Sequence, residues 1–415
     1  MDCFLTLNRS GLGFLLAVVV GIMLGLVSHN MGKGIVNPLI QVLQATPALL
    51  WVIPLVLILG SGNAPPMMVG FLVSLPLIYF STQESLKLLT PSLLDTFKIY
   101  APSPYLWLRE LIRPIFNATL TPALTIGLAL SLKSTLIGEW FGSKNGLGRR
   151  IQTAWAVYNI LDFYTLTFLL ILMILSLTAL ARIFAAMVFP IRIATRHAPE
   201  SGRCEDEPWI TAKLRGGIQL FDVSFSYGSH KIFVHFNLRL NPSQRLLVSG
   251  PSGCGKTTLA KLMGGLLKPH QGVIETQGKC ILVFQEDCLL NHRDALGNVA
   301  LPLWALKITN WQKEAKKYLD WVGLCEYLLF PDQMSGGMRK RLALARALAA
   351  QPDILILDEP LVNLHEEARH DLWNLIFDLQ AKQHFSLMII SHYPAEIERH
   401  FDQHIRLTRH PNGPH

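Results

Sequence analysis

The sequence predicts two folds in one chain: an α-helical membrane domain of about five spans, followed by an α/β domain built around a phosphate-binding loop. Three observations predict them. Apolar stretches of about 20 residues recur in the first half, the stretch GPSGCGKTT begins at Gly250, and 415 residues suffice for two or three domains. We expect a membrane domain over 1–189, a polar linker over 190–213 and the phosphate-loop domain over 214–415.

Composition supports the membrane interpretation. Half of the residues are hydrophobic, 16% are charged and the formal net charge is +8. Because no basic stripe with interleaved aromatic residues accompanies that charge, we expect no nucleic-acid partner and assign the basic residues to cytoplasmic loops. The cysteines form no CxxC pair, which predicts small buried residues in a reduced compartment rather than a disulfide framework. They are Cys3, Cys204, Cys254, Cys280, Cys288 and Cys325.

Five apolar stretches are long enough, or nearly so, to cross a bilayer. They cover about 11–29, 36–61, 66–86, 117–138 and 160–189. The first has a secretory signal as its alternative, but four further stretches downstream favour a span.

Orientation follows from the phosphate loop, which must meet cytosolic nucleotide. Counting back from the fifth span places Met1 outside and the loop 84–114, with its basic residues, inside. Lys144, Arg149 and Arg150 would then lie outside, against the positive-inside tendency.

The inner loop contains LLDTFKIYAPSPYLWLRELIRP, in which Pro102 and Pro104 divide two short helical pieces. The second piece is amphipathic. From its periodicity alone, an interfacial helix on the bilayer and a docking helix for a partner are equally good interpretations.

The glycine-rich loop follows a strand pattern and precedes a helix that should begin near Lys256. Its glycines let backbone N–H groups point at phosphate oxygens, Lys256 would reach the β and γ phosphates, and Thr257 would ligate magnesium. The candidate nucleotide-binding residues here are Gly250, Pro251, Ser252, Gly253, Cys254, Gly255, Lys256, Thr257 and Thr258.

Two further motifs favour phosphate chemistry. The run DILILDEP predicts a buried strand that ends at Asp358, for the metal, and Glu359, for the attacking water. In MSGGMRKRLALARALAAQ, Ser335, Gly336 and Gly337 open a helix and offer a second phosphate-binding surface, useful if two copies face each other. The alternatives are a surface acidic pair and an ordinary N-cap.

In this order, the motifs resemble those of the ATP-binding cassette (ABC) family from about Ile218 to the C-terminus. The resemblance implies an ABC-type P-loop ATPase that binds ATP and Mg²⁺. It implies that Gln285 is the Q-loop residue, with a part in metal binding and catalysis, that His392 is the catalytic switch histidine that contacts the γ-phosphate, and that Tyr227 stacks on adenine. His365 replaces the usual D-loop aspartate, and Met334 and Met338 flank the signature.

The membrane half resembles importer permeases of the nitrate, sulfonate and taurine type. The inner loop is similar to their EAA loop, with Asp95, Ala101 and Pro114 at its marker positions, which implies a coupling helix beside the Q-loop. GEWFGSKNGLGRRIQ and PLIQVLQATPALLWVIPLVLI are also similar to permease segments. Since such permeases have an extra helix ahead of residue 11, we expect either a compact five-span variant or a truncated start.

Together these resemblances imply half of an ATP-driven importer for a small polar organic solute, such as a sulfonate, a nitrate-like anion or a thiamine-pyrimidine precursor. Two identical chains would act with a periplasmic or lipid-anchored solute-binding protein in the lipid of a bacterial inner membrane, with the ATPase domain in the cytoplasm. The alternatives are an exporter or lipid-trafficking ATPase and a membrane-anchored ATP-binding switch, the latter motivated by His365. Lys133, and Glu139 six residues later, either face an anion path or pair for structure.

Overall fold

The structure is a computed structural model that describes residues 1–31, 35–100, 103–188, 216–362, 364–392 and 397–408. The predicted linker 190–213 lies outside the described residues, as do Ala101 and Pro102. The chain forms two compact units: Met1–Leu89 with Ile112–Ile191, and Thr90–Leu111 with Arg192–His415. The inner loop therefore belongs to the second unit, although the first unit flanks it on both sides in sequence.

The first unit is helical. Its helices are α1 (Asp2–Met31), α2 (Val36–Ala45), α3 (Ala48–Leu59), α4 (Ala64–Lys87), α7 (Arg113–Gly142), α8 (Leu147–Ala156) and α9 (Ile160–Val188). Within the described residues, four helical runs are long and apolar enough to cross a membrane: α1, α4, the run that ends with α7, and α9.

The predicted continuous span over 36–61 is wrong in detail, because α2 and α3 meet at a bend of 103°. Pro47 cannot donate a backbone hydrogen bond, and it forces Thr46 into the extended conformation, with ψ of 123°. Neither helix alone reaches the about 20 residues that a span needs.

The bent pair nevertheless crosses the unit from end to end. Arg9 of α1 lies beside Glu139 of α7, and the amide of Gly62, just after α3, donates to Gly142 at the end of α7 (3.0 Å). The start of α1 and the end of α3 thus share one end of the unit. Because α1 leads away from that end, α2 and α3 must return to it, and counting the bent pair as one span brings the candidate spans among the described residues to the predicted five.

Glycines bring α1 and α4 into close contact. A Cβ atom on Gly13 would lie 2.4 Å from the Met67 carbonyl oxygen, and one on Gly25 would lie 2.7 Å from the Thr82 side chain. Small residues on one face let helix backbones approach closely in a membrane, where packing rather than the hydrophobic effect holds helices together.

The second unit contains two sheets and the remaining helices. Its elements are α5 (Pro91–Tyr100), α6 (Pro104–Trp107), β1 (Ile218–Tyr227), β2 (His230–Leu240), β3 (Arg245–Ser249), α10 (Lys256–Met263), β4 (Gln271–Thr276), β5 (Cys280–Val283), α11 (Ala295–Ala305), α12 (Trp311–Trp321), α13 (Gly336–Ala349), β6 (Ile354–Asp358), α14 (Glu366–Gln383), β7 (Ser386–Ile390) and β8 (Gln403–Arg406). The five residues Leu108–Ile112 continue α6 as a π-helix.

The two sheets differ in strand direction. Strands β2, β1 and β4 form an antiparallel sheet, whereas the other sheet is parallel with the order β5-β6-β7-β3-β8. The stretch FNLRLNPSQRLLVSG, predicted as one strand, is divided between β2 and β3 in different sheets. Pro242 and the left-handed Ser243 (φ 62°) form a turn there, which ends one strand and starts the next.

The parallel sheet determines where the candidate residues lie. β3 leads into the phosphate loop, β5 into Gln285, β6 into Glu359 and β7 into His392. Since parallel strands end at the same edge of their sheet, these side chains are all delivered to that edge, where open α/β sheets bind ligands.

The prediction of unpaired cysteines holds for Cys3, Cys254, Cys280 and Cys288, of which Cys254 is buried. It is wrong for Cys325, which is disulfide-bonded. Burial raises the pKa of the Cys280 thiol to about 12, so this thiol is neutral at physiological pH.

Candidate functional site

The phosphate loop lies between β3 and α10, where the sequence predicts it. Gly253 (φ 79°) and Gly255 (φ 100°) have left-handed backbones, which glycine adopts without steric cost. A Cβ atom on Gly250 would lie 2.5 Å from the carbonyl oxygen of Leu407, whereas one on Gly253 would meet nothing within 4 Å. The loop is therefore packed on one side and open on the other.

Lys256 begins α10, as predicted, and its side chain lies over the loop. The Nζ atom donates to the carbonyl oxygens of Gly250 (2.8 Å) and Pro251 (3.1 Å). The ammonium group and the free N–H groups at the start of α10 thus put positive charge at the open face of the loop.

Asp358 ends β6 beside the first turn of α10. Burial raises the pKa of its carboxyl group, and Glu359 adds to that rise, while a hydrogen bond from Thr257 and the charge of Lys256 oppose it. A carboxylate and a hydroxyl therefore lie together next to the phosphate loop. This is the pair that the sequence assigns to magnesium.

Glu359 and His392 are brought together from two neighbouring strands. His392 Nε2 lies 2.6 Å from Glu359 Oε1. Glu359 has a left-handed backbone (φ 49°), which is rare for a non-glycine residue, and its amide donates to the carbonyl of Ile390 (3.1 Å). The β6–β7 ladder therefore orients the carboxylate that the sequence assigns to water activation.

Two further predicted site residues, Tyr227 and Gln285, make other contacts in the described structure. The Tyr227 ring is 51% exposed and packs edge-on against Phe225. Gln285 is exposed, and its carbonyl oxygen accepts from Lys340 (2.7 Å).

Ser335 caps α13 and accepts from the amide of Met338 (3.3 Å), which is the N-cap contact that the sequence offers as the alternative to a second phosphate-binding surface. Among the described residues it makes no hydrogen bond to the phosphate loop. Gly337 beside it faces open space, since a Cβ atom there would meet nothing within 4 Å. The candidate second phosphate surface is therefore sterically open at Gly337.

The inner loop packs onto the same domain through Asp95. This carboxylate binds Lys98 of its own helix (2.8 Å) and Lys261 of α10 (3.0 Å). Burial alone would raise the pKa of Asp95, but the hydrogen bonds and charges of the two lysines outweigh it, so the pKa lies below its ordinary value. Lys261 is five residues beyond Lys256, so Asp95 contacts the helix that begins at the phosphate loop.

A second contact is centred on Glu110, whose carboxylate is fully buried. Arg293 donates to both carboxylate oxygens (2.8 and 2.6 Å), Arg109 donates to one of them (2.5 Å) and His292 lies 3.4 Å away. Both guanidinium groups also lie over the ring of Trp304. Paired, bidentate and desolvated charges of this kind make a specific contact.

A third contact joins the inner loop to α13. Tyr100 is buried beneath the guanidinium of Arg346, 5.2 Å from its ring centroid. Arg346 in turn donates to the carbonyl oxygens of Cys288 (2.7 Å) and Asp287 (2.9 Å). Because α13 begins at Gly336, directly after Ser335, the loop contacts the helices behind both candidate phosphate-binding surfaces.

Family comparison gives the same two-part division. Residues 233–362 match the sequence model of the ABC transporter family, and residues 17–191 match that of the binding-protein-dependent transport system inner membrane component. An uncharacterized ABC transporter ATP-binding protein of Methanocaldococcus jannaschii is 32% identical over 217 residues, which are 50% of this chain and 80% of that protein.

The chain belongs to the ABC transporter family. Two further relatives of this family are the taurine import ATP-binding protein TauB of Pseudomonas aeruginosa and the aliphatic sulfonates import ATP-binding protein SsuB of Albidiferax ferrireducens. The first is 40% identical over 167 residues, 38% of this chain and 64% of the relative. The second is 35% identical over 193 residues, 44% of this chain and 68% of the relative. The chain spans 55 to 64% of the length of the taurine protein and three iron import relatives.

This ABC transporter chain also has contact residues that sequence reasoning missed: Lys261, His292, Arg293, Trp304 and Arg346. The signal that could have revealed Arg346 is its place in ALARALA, since it is a cation on the buried face of an otherwise apolar helix. His292 and Arg293 are adjacent bases with no local periodicity to distinguish them from a solvated pair.

The D-loop position of this ABC domain holds His365, the N-cap of α14, whose side chain makes no capping hydrogen bond. His365 borders a surface groove together with His370 and Trp373. Asn363, two residues earlier, lies outside the described residues.

Proposed function

We propose that this chain is half of an ATP-driven importer. Its own ABC ATPase domain, residues 214–415, here called the cassette, drives its own membrane helices. The observation that carries the proposal is the position of residues 90–111. They lie within the stretch that matches the transport-system membrane component, yet they pack on α10 and α13 of the cassette. This loop connects two spans and is fixed to α10 and α13. It can therefore convert a movement of the cassette into a movement of the spans.

The residues of the site fit ATP with magnesium. The open face of the phosphate loop, the free N–H groups of α10 and Lys256 suit the phosphates. Asp358 and Thr257 would hold magnesium, which takes one or two protein oxygen ligands together with substrate phosphates and water. Gln285, at the end of β5, would complete this set, and Tyr227 would stack on the base.

Hydrolysis requires an acceptor for the proton of the attacking water. When bound, magnesium ATP supplies the phosphoanhydride bond that water cleaves. Glu359 would accept the proton, and His392, which contacts its carboxylate, would hold that carboxylate in place and contact the γ-phosphate. Glu359 is positioned for this by its strained backbone and its amide bond to Ile390.

We infer that two copies of the chain act together. Gly337 has open space beside it, and Ser335 makes no hydrogen bond to its own phosphate loop among the described residues, so Ser335, Gly336 and Gly337 would complete the site of a second copy across a head-to-tail interface. The two membrane units would then enclose the translocation path. The same proposal includes the domain boundaries: a membrane domain over 1–189, a linker over 190–213 and the ATPase domain over 214–415.

The proposals for the cargo and for its delivery are based on the related proteins. The taurine and sulfonate relatives are import proteins by name, so a small organic solute such as a sulfonate is the proposed cargo. A periplasmic or lipid-anchored solute-binding protein would deliver it to a bacterial inner membrane, with the cassette in the cytoplasm.

Two substitutions at the ATP site test the proposal. In Lys256→Ala, loss of the ammonium group should abolish both photolabelling by azido-ATP and uptake, whereas Glu359→Gln should bind ATP, turn it over at least 100-fold more slowly and stop uptake. Lys268→Ala, which removes another lysine of the same domain, is the control and should behave as wild type. Uptake by the Glu359→Gln chain at the wild-type rate would instead indicate a switch that needs only ATP binding.

A further inference from the structure

Lys133 lies farther from the ends of its helix than any other charged side chain in the described part of the spans. Arg182 lies six residues before the end of α9, Arg9 and Glu139 are buried and paired with each other at 2.7 Å, and the remaining charges lie in the first or last turns of their helices. Lys133 is nine residues before Gly142 and 20 residues after Arg113, about 13 and 30 Å from the two ends of α7. Within the described residues it forms no ion pair.

The Lys133 side chain lies on the face of α7 that its own chain leaves open. That face carries a stripe of exposed residues at helical spacing, Ala118, Pro122, Ile126, Lys133 and Phe141. The opposite face is buried and contains Gly127, Ser131, Leu132 and Thr135. Lys133 therefore points away from the helices that could neutralise it.

Lipid does not suit this position. A charge within the hydrocarbon layer is costly, and such residues usually face a protein interior or a water-filled cavity. Snorkelling to the nearer end of α7 is disfavoured, because side chains of a helix point toward its N-terminus, which is here the more distant end. The exposed stripe around Lys133 is therefore better suited to water than to acyl chains.

We propose that Lys133 lines the translocation path between two copies of the chain and binds the anionic group of the cargo. The inference rests on the proposed function and narrows it: the cargo is an anion or carries an anionic group, such as a sulfonate. A second copy would contribute its own Lys133, so the path would hold two cations. A neutral solute of the same shape would lack the matching charge.

Uptake kinetics in intact cells test this assignment. In cells that lack their own copy of the gene, the wild-type chain should take up ethanesulfonate or taurine but not the neutral ethanesulfonamide. Lys133→Gln should raise the KM for the anion at least tenfold with a smaller change in maximal rate, and Lys133→Arg should stay within threefold of wild type. Lys144→Gln removes an exposed lysine beyond the end of α7 and should leave uptake unchanged.

The outcomes separate the two proposals. ATP-dependent uptake with an unchanged KM in Lys133→Gln, or equal uptake of sulfonamide and sulfonate, would overturn the role of Lys133 and leave the importer standing. Loss of the dimer in both Lys133→Gln and Lys133→Arg on gel filtration would also overturn it, since the lysine would then serve assembly. Absence of ATP-dependent uptake of any tested solute by the wild-type chain would contradict the importer itself.

Discussion

Glu139 is a buried carboxylate near the end of α7, and its partners determine which substitutions the site tolerates. It accepts hydrogen bonds from the Thr6 hydroxyl, from Arg9 (2.7 Å) and from the amide of Gly148 (3.0 Å). These contacts tie α1, α7 and the start of α8 together at one end of the membrane unit. The sequence left open whether Glu139 faces an anion path or forms a structural ion pair. The geometry shows that it forms an ion pair.

Removing one partner of this pair should destabilise the membrane unit. Arg9→Met leaves the Glu139 charge buried without its cation, which we expect to lower the free energy of unfolding by about 3–5 kcal/mol. Arg9→Met combined with Glu139→Leu should recover most of that loss, because no charge then remains buried. Thermal unfolding of the detergent-purified chains measures both, and a double variant no more stable than Arg9→Met would contradict the pairing.

Residue-level prediction succeeded where chemistry and position coincide in a short motif. The phosphate loop, Asp358 and Glu359 could be placed from the sequence, because each lies at the end of a predicted strand, whereas His392 could be placed only through the resemblance to the family. The distant partners of Glu110, His292 and Arg293, could not be predicted, since they lie more than 180 residues away in the chain and only the fold brings them together.

At the scale of elements, the inner loop behaves as a docking segment. Its periodicity fits an interfacial helix equally well, but Phe97 and Tyr100 are buried rather than exposed, and Tyr100 lies beneath the guanidinium of Arg346 in the cassette. Of its apolar positions, Leu106 and Leu111 are buried, while Tyr105 and Leu108 are not. Periodicity shows that a helix has an apolar face; it does not show what covers that face.

A disulfide should trap this docking. The Thr96 hydroxyl hydrogen-bonds to the thiol of Cys288, so Thr96→Cys places two sulfur atoms within bonding reach. Mild oxidation should join residues 96 and 288, as measured by peptide mass spectrometry, and should stop uptake until a reductant is added.

Thr96→Cys in a Cys288→Ser background is the matched control and should keep its uptake under the same oxidation. If residues 96 and 288 fail to cross-link both with and without ATP, the loop does not dock as described. Cross-linking with full uptake would show that docking is permanent and that the loop need not move against Cys288.

Two element-level predictions failed for local reasons that a periodicity analysis does not weigh. The span over 36–61 bends at Pro47, and the strand predicted up to Gly250 breaks at Pro242. In both cases apolar residues flank the break on both sides, but the backbone cannot continue through it, because proline lacks the amide donor that a continuous helix or ladder uses.

At the scale of the whole molecule, one chain contains residues of a permease family and of an ABC cassette. The positions of helix ends within the membrane unit follow from contacts such as Gly62 with Gly142, which place Met1 and Lys144 at the same end. Sequence counting predicted that these residues share one end of the unit with the basic residues of α8, Arg149 and Arg150. One of these, Arg150, pairs with Asp2 (3.4 Å).

The central claim is that this chain supplies both the permease domain and the ATPase domain of an importer. Uptake of labelled taurine into proteoliposomes that contain only this purified chain tests it most directly, with periplasmic extract outside and magnesium ATP inside. We predict accumulation that requires ATP and disappears when it is replaced by a non-hydrolysable analogue. Accumulation only after a separate permease or cassette protein is added would contradict the claim.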